Sequence, residues 1–378
     1  MHSKVISIQI LRAIACLLVL QVHFLPIIPL IHADIYGAIG VDLFFIISGY
    51  IIASSIKKLP ENRPASIFFI NRFSRVIPYY FLLNLLTLIF LLLTFHRFSL
   101  FQIIDSFLFL PEPDDPIIFL GWSLDHEIFF YSIIAISLLV IPANKKSFSG
   151  VVFFLIIAIS HLIPRTHNLH INYCLEFLGA SINYEFLLGF LIFKFKDAIL
   201  PFFRLNVVWV FSTCLFIILL LTIKEEHIVS HYKGNYFRDY IIITKTGYVI
   251  HRFWICGISC MLIFLSLLAR ENDLKRFHKS FLVEIGDASF SVYLLHGAFL
   301  TILPTFILGS LWLRIALCIA SLILSLKAVR MESFVGNHAK QYLNKFLHKN
   351  GKSIVNSASV KNEGSEVINA VKHKKTAI

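Results

Sequence analysis

The sequence predicts an all-α protein, a polytopic transmembrane helical bundle of about ten spans. Hydrophobic residues make up 57% of the 378 residues, compared with about 45–50% in soluble domains. Charged residues make up only 15%, compared with about 25% in soluble domains, and the mean hydropathy is +0.79. Because so few charges cannot cover that much apolar surface in water, the bilayer is the predicted solvent.

Apolar stretches long enough to cross a bilayer follow one another along the chain. A span needs about 20 apolar residues, and the stretches 117–141 and 175–193 each carry carboxylates. The predicted spans lie near residues 5–25, 37–56, 74–95, 117–141, 148–164, 175–193, 205–223, 248–269, 282–303 and 308–328.

The basic residues lie between these stretches and after the last one, and the net charge is +12. Fourteen Lys and Arg residues fall in alternate loops, starting with the loop after the second span, and six fall in the other loops. By the positive-inside rule, this asymmetry predicts that both termini are cytoplasmic. It also predicts membrane lipids, and not nucleic acid, as partners of the basic charge.

The chain is predicted to divide at residue 330. Residues 1–330 form the predicted transmembrane domain. Residues 331–378 are rich in Lys, Asn and Ser, and they predict a basic cytoplasmic tail, helical near 337–348 and otherwise disordered. The charge of this tail suits either anionic lipid head groups or solvent. The cysteines are predicted to be small buried hydrophobic residues, and no metal site is predicted.

Titratable groups inside the spans are the candidate functional residues, because they are costly in hydrocarbon. Arg12 and His23 in the first span are eleven positions apart, so they share one helix face at a separation of roughly 16 Å. The alternative is an Arg that snorkels to one surface and a His at the other interface. Asp42 opens the second span, and an imidazole such as His23 is its expected partner.

Arg72 and Arg75 stand at the start of the third span, three positions apart on one helix face. Guanidinium groups bind phosphate oxygens well, so the pair suits a phosphate-rich ligand from the cytosol. The alternative is ordinary anchoring of the span by cytoplasmic positive charge.

Two further groups of polar residues lie at the fourth and ninth predicted spans. Trp122, Ser123 and Glu127 open the fourth span, and Tyr293 and His296 share one face of the ninth. Glu127 is a candidate catalytic residue, and the other four are candidate substrate-binding residues. The alternatives are an interfacial aromatic belt with a helix start, and a structural pair in the ninth span.

Together these segments resemble the acyltransferase-three family of integral membrane proteins, over roughly residues 5–330. The likeness is closest to members that O-acetylate bacterial exopolysaccharides or lipopolysaccharide O-chains. The motifs that carry it are, in order, Arg12 to His23, Gly40-Val41-Asp42-Leu43-Phe44-Phe45-Ile46-Ile47-Ser48-Gly49, Arg72-Phe73-Ser74-Arg75 with Pro78, Trp122-Ser123-Leu124 with Glu127, and Ser289 through His296.

The resemblance implies an acyltransferase of the bacterial inner (plasma) membrane. It implies cytoplasmic acyl-CoA, with acetyl-CoA favoured, as the donor, and a surface glycan or lipid-linked oligosaccharide as the acceptor. It also implies that Arg12 and His23 are essential and that Arg72 and Arg75 serve the donor. The chain reads Asp125-His126-Glu127 where relatives often have a second Glu.

These residues lead to a hypothesis for acyl transfer to a sugar hydroxyl, which needs a base. His23 is that base, Asp42 orients it, Arg12 steadies charge along the donor path, and Glu127 or Tyr293 places the acceptor. A covalent acyl-His relay is the alternative mechanism. Two other classes stay open: a proton-coupled transporter or lipid-glycan flippase, which needs the same charges, and a scaffold whose polar pairs only fix helix packing.

Overall fold

Helices make up most of the chain in the computed structural model. The structure describes residues 4–24, 33–94, 96, 98–110, 116–164, 166–206, 208–213, 227–230, 240–243, 249–251, 253–303 and 310–374. The helices are α1 (Ile6–Phe24), α2 (Ala33–Lys57), α3 (Pro64–Leu93), α4 (Leu100–Leu108), α5 (Trp122–Val140), α6 (Ser149–Leu162), α7 (Leu169–Gly179), α8 (Ser181–Phe203), α9 (Ile258–Ala269), α10 (Glu271–Leu274), α11 (Phe281–Ile302) and α12 (Leu311–Lys374). Short 3₁₀ turns cover Phe119–Gly121, Ala143–Phe148 and Lys275–Phe277, and a π-helical turn covers Phe253–Gly257.

The structure confirms the predicted fold class, a bundle of helices that can span a membrane. Within the described residues, seven helices are long and apolar enough to cross a bilayer. They are Ile6–Phe24, Ile39–Lys57, Pro64–Leu93, Phe119–Val140, Asn144–Leu162, Phe281–Ile302 and Leu311–Lys345. The predicted number of about ten is not confirmed.

Three predicted spans account for the difference in number. The stretch 175–193 is divided between α7 and α8, because the chain leaves helical geometry at Ala180, whose ψ is 141°. Of 205–223, residues 208–213 are helical, and 214–223 lie outside the described residues. In 248–269, a strand and the π-helical turn precede α9, which is only 12 residues long.

A small antiparallel sheet lies between α8 and α9, where the apolar pattern gave no indication of strands. Its strands are β1 (His227–Ser230), β2 (Tyr240–Ile243) and β3 (Val249–His251), in the order β1-β2-β3. Ile242 of β2 pairs with Ile228 of β1 and with Ile250 of β3. β-Branched residues favour extended backbone, which is consistent with the isoleucines of β2.

Helix α1 packs against α2 and α11. A side chain at Gly286 of α11 would overlap the backbone carbonyl of Gln9, so glycine allows the two backbones to touch. Gln9 meets Gly286 at the start of both helices, and His23 meets His296 near their ends. Helices α1 and α11 therefore run parallel, although almost the whole bundle separates them in the sequence.

Helices α2 and α8 make a reciprocal close contact. A Cβ on Gly49 would overlap the carbonyl oxygen of Phe186, and a Cβ on Gly189 would overlap that of Ile46. Each glycine thus meets the carbonyl three positions before the other glycine. Phe45 of α2 packs on Phe186 of α8 and Tyr50 packs on Phe193, so the two helices advance in the same direction and run parallel. Small residues give this backbone approach between helices in lipid, where apolar burial alone does not drive association.

Glu271 of α10 holds the start of α1. Its two carboxylate oxygens accept hydrogen bonds from the backbone N–H groups of Ile6 and Ser7, at 2.9 and 2.8 Å. These amides have no partner within the helix, and a carboxylate there also complements the helix dipole. A side chain from a distant segment therefore fixes the helix that carries Arg12.

Replacing Glu271 with Ala should lower the free energy of unfolding by about 1 kcal/mol, the usual cost of losing a helix cap. Thermal unfolding of the detergent-solubilised protein measures this loss. Asp273→Ala is the matched control, because the Asp273 carboxylate is exposed and lies 3.9 Å from Arg270. Equal melting temperatures for the two variants would contradict the capping role.

Candidate active site

A cavity of about 90 Å³ lies where α1, α2, α3, α5 and α11 meet. Six of the residues singled out from the sequence line it, namely Arg12, Arg72, Arg75, Ser123, Glu127 and Tyr293. Pockets that enclose a drug-sized ligand measure about 300–1,000 Å³, so this cavity suits a small group or the end of a longer ligand. Its apolar lining comes mainly from Phe44, Phe45 and Phe290 with Val41, Ile47, Ile51, Val76 and Leu124.

Three guanidinium groups form one side of the cavity. Arg72 is buried, with 9% of its surface exposed, and its Nε has no hydrogen-bond partner among the described residues. Arg75, one turn further along α3, is exposed, so the cavity opens beside it. Arg12 is partly buried, and its Nη1 donates to Gln9 Oε1 at 3.3 Å. The cluster therefore offers unused donors to an anion that enters beside Arg75.

Glu127 lies in the same cavity as the arginines. Its Oε1 accepts a short hydrogen bond from the Tyr131 hydroxyl and another from Ser48 Oγ, at 3.3 Å. Tyr131 also contacts Arg72. Glu127 thus joins α5 to α2 and places a negative charge beside the guanidinium groups.

Next to the arginines, a hydrogen bond joins Ser123 of α5 to Tyr293 of α11. Ser123 Oγ and the Tyr293 hydroxyl are 2.7 Å apart, and Tyr293 also donates to the Leu120 carbonyl at 3.1 Å. Both side chains line the cavity and are buried. Two hydroxyl groups are therefore held at fixed positions at the cavity wall.

The two predicted histidines lie beyond Tyr293. His296 packs with its ring centroid 5.6 Å from that of Tyr293 and 5.5 Å from that of His23. His296 Nδ1 is 2.8 Å from the Val292 carbonyl, which can only accept, so Nδ1 carries the hydrogen. His296 Nε2 is buried and has no hydrogen-bond partner among the described residues, which leaves its lone pair available.

His23 itself does not line the cavity. It is partly buried at the end of α1, between His296 and Phe119, with 5.5 Å between its ring centroid and each of theirs. Arg12 and His23 nevertheless face the same neighbour, α11, as their eleven-residue spacing predicts. The polar groups form one row, from the arginines through Ser123 and Tyr293 to His296 and His23.

Asp42 and Trp122 are buried, with 1% and 8% of their surfaces exposed. Gly40, two positions before Asp42, packs against Ala15 and Val19 of α1, on the stretch between Arg12 and His23. The pairing of Asp42 with His23 stays a prediction. Trp122 Nε1 has no hydrogen-bond partner among the described residues, so it can donate to a ligand.

His126 is held by Asn183 and Phe177 in contacts between helices. Asn183 donates its amide hydrogens to the carbonyls of Phe177 and Leu178, so its Oδ1 accepts from His126 Nδ1 at 3.1 Å. The His126 ring stacks on Phe177 with 4.1 Å between centroids. His126 therefore helps to join α5 to α7 and α8.

Some residues of the site were not identified from the sequence. Ser48, Tyr131 and Ser289 line the cavity. Tyr131 lies four positions after Glu127, so the helical spacing was a signal that could have found it. Ser48 and Ser289 stand inside quoted motifs, and only the packing of the helices shows that they face the arginines.

The fold and the site together define a class of protein. Several apolar helices surround a cavity that contains three arginines, one glutamate and fixed hydroxyl groups, and such charges inside a bundle are typical of membrane proteins that handle a polar substrate. The chain belongs to the acyltransferase-three family, because the acyltransferase domain model of that family matches residues 5–329. Comparison with curated proteins and with solved structures gives no match. The protein is therefore a membrane protein of an acyltransferase family.

Proposed function

We propose that the protein is a membrane O-acyltransferase that moves an acetyl group from cytoplasmic acetyl-CoA to a hydroxyl of a surface glycan. The acceptor is an exopolysaccharide or lipopolysaccharide O-chain, as the polymer or as its lipid-linked oligosaccharide. The row of polar side chains from the arginine cluster to the paired imidazoles carries this proposal. In this row the anionic donor binds at the arginines, and the neutral hydroxyl acceptor binds at the imidazoles.

The donor binds at the arginine end. Arg72 and Arg75 hold CoA phosphates, and Arg12 extends the positive surface into the cavity. A cavity of about 90 Å³ holds a thioester and a short acyl chain, and the rest of CoA lies outside beside the exposed Arg75. This size favours acetyl over a long acyl group.

The chemistry takes place between the cavity and the imidazoles. His23 removes the proton of the glycan hydroxyl as its oxygen attacks the thioester carbonyl. The Tyr293 hydroxyl, which is held by Ser123, stabilises the negative charge on the carbonyl oxygen once its hydrogen turns from the Leu120 carbonyl to the substrate. The carbon–sulfur bond then breaks, and CoA leaves as a thiol after it takes up the proton.

The distance from Arg12 to His23 along α1 matches the length of the donor's pantetheine arm. Arg12 and His23 lie in one continuous helix, and eleven residues of helix rise roughly 16 Å. An extended pantetheine arm covers a comparable distance. A donor whose phosphates are held outside the cavity beside Arg75 can therefore extend its arm past Ser123 and Tyr293 toward His23.

The helix directions support a membrane topology with both termini on one side. Helices α2 and α8 run parallel, which fits three spans, α3, α5 and α6, between them. Helices α1 and α11 also run parallel, so an even number of spans lies between α8 and α11. Counting α8 with the seven long apolar helices gives eight spans, or ten if 205–223 and 248–269 also cross. We place both termini in the cytoplasm and the protein in the bacterial inner membrane, as the positive-inside rule favours.

Incubation of the purified protein with labelled acetyl-CoA and candidate glycans tests the proposal. The expected products are the acetylated glycan and free CoA in equal amounts. A proton-coupled transporter or a lipid-glycan flippase would form neither product. Mass analysis of surface polysaccharide from cells with and without the protein then identifies the sugar and the hydroxyl.

Replacing Arg72 with Ala should weaken CoA binding about 10- to 100-fold, because charge-assisted hydrogen bonds contribute about 1.5–3 kcal/mol. Calorimetric titration of the purified full chain with CoA measures the dissociation constant. Arg72→Lys keeps the charge but loses the planar fork, so it should recover only part of the affinity. Unchanged affinity in Arg72→Ala would remove this residue from the donor site.

A further inference from the structure

The last helix brings a carboxylate to the arginine end of the site. Glu332 of α12 is partly buried, and its Oε2 accepts a hydrogen bond of 2.5 Å from Ser291 Oγ of α11. Ser289 and Tyr293, two positions before and after Ser291 on α11, line the cavity, whereas Ser291 and Glu332 lie just outside it. Glu332 stands in the segment whose sequence predicted a tail, and it lies beyond the residues 5–329 that match the family.

A close backbone contact fixes α12 at this position. Pro78 inside α3 has no N–H, so the Ser74 carbonyl, four positions earlier, lacks its usual helical partner. Gly336 of α12 packs against this carbonyl, and a Cβ there would lie 3.0 Å from the oxygen. Ser74 lies between Arg72 and Arg75, so one turn of α12, from Glu332 to Gly336, packs beside the arginine end, where Arg75 stays exposed.

Glu332 faces two of the three arginines across a gap. The charges of Arg75 and Arg12 both act on Glu332, yet among the described residues no ion pair within 4.0 Å joins them. Arg75 is exposed and makes no hydrogen bond with the described part of the chain. The carboxylate offsets the mutual repulsion of the guanidinium groups without forming an ion pair with either of them.

We propose that Glu332 sets the affinity of the donor site, because its carboxylate stands in for a donor phosphate opposite Arg12 and Arg75. The Ser291 hydroxyl holds this internal anion in place. A CoA phosphate that binds between the arginines must overcome the negative charge of Glu332 or displace it. The inference rests on the proposed function, since it assigns the competing ligand as the phosphate part of CoA.

Binding of CoA to the purified Glu332→Gln protein tests this role. The amide keeps the shape and can still accept from Ser291, so the variant removes only the charge. The affinity for CoA should rise about 3- to 10-fold, the effect of removing one partly screened negative charge near the phosphate. Pantetheine, which has no phosphate, should bind both proteins equally.

Three further variants sharpen the test. Glu284→Gln removes an exposed carboxylate from the start of the same helix as Ser291, and it should leave the affinity for CoA unchanged. In an Arg75→Gln background, the gain from Glu332→Gln should shrink, because the arginine that it neutralises is gone. Ser291→Ala frees the carboxylate from its anchor without removing it, so it should give a smaller gain; it also serves if Glu332→Gln does not fold.

The outcomes separate this inference from the proposed function. Equal or weaker CoA binding by Glu332→Gln, with normal binding by the unaltered protein, overturns the role of Glu332 alone. A gain that extends to pantetheine shows that the carboxylate does not compete with phosphate, and it also overturns the inference. If the unaltered protein binds no CoA and transfers no acyl group, the proposed function itself fails.

Discussion

Replacing His23 with Ala should lower acyl transfer to the glycan by about 10²- to 10⁴-fold, the contribution of a general base. His23 lies at the end of the polar row opposite the arginines, next to His296 and outside the cavity that holds the donor end. CoA binding should therefore stay within about twofold of normal, because the arginines that bind it are untouched. Transfer of labelled acetyl groups and titration with CoA measure the two properties on one preparation.

His278→Ala is the control for this change. His278 is exposed in the turn before α11, and its Nδ1 lies 3.1 Å from the nearby Lys275 carbonyl. This variant should transfer acyl groups at the normal rate. Normal transfer in His23→Ala would rule out His23 as the base. Loss of transfer together with CoA binding would mean that His23 supports the fold of the donor site.

The placement of Arg12 and His23 on one side of α1 could be predicted from the sequence. A long apolar segment in lipid forms a helix, because every backbone polar group must be satisfied within the segment. Once the helix is given, the eleven-residue spacing fixes a common face. The same reasoning placed Arg72 and Arg75 on one face of α3. Both line the cavity with Arg12, whereas His23 lies outside it.

The residues that these helix faces contact on other helices could not be predicted in the same way. His23 meets His296 because α1 and α11 pack in parallel, with Gly286 against the Gln9 carbonyl. That contact joins the two ends of the membrane bundle, and no local pattern encodes it. Glu332 was missed for a related reason: its surroundings in the sequence are polar, and only the packing of α12 on α3 and α11 brings it to the site.

The structure also shows why the number of spans was the weakest prediction. Apolar composition measures whether a stretch avoids water, but it does not show where a helix breaks. The break at Ala180 and the π-helical turn at Phe253–Gly257 interrupt stretches that are apolar on average. A hydropathy pattern along one stretch gives no sign of either interruption.

Replacing His296 with Asn should lower acyl transfer about 100-fold without lowering thermal stability, if a second base beside His23 is needed. The Asn amide can take the place of Nδ1 and donate to the Val292 carbonyl, as His296 does at 2.8 Å. It has no atom at the position of Nε2, whose lone pair is buried and unpaired within the described structure. The variant thus removes the proton acceptor and keeps the structural hydrogen bond.

The pair of imidazoles gives this prediction a second readout. If His296 accepts the proton that His23 takes from the hydroxyl, the two residues act as one unit, and removing both should cost little more than removing one. The dependence of kcat/KM on pH should change in His296→Asn, whereas a structural residue would lower stability and leave that profile in place. Independent, multiplying losses in the double variant, or normal transfer by His296→Asn, would show that only His23 handles the proton.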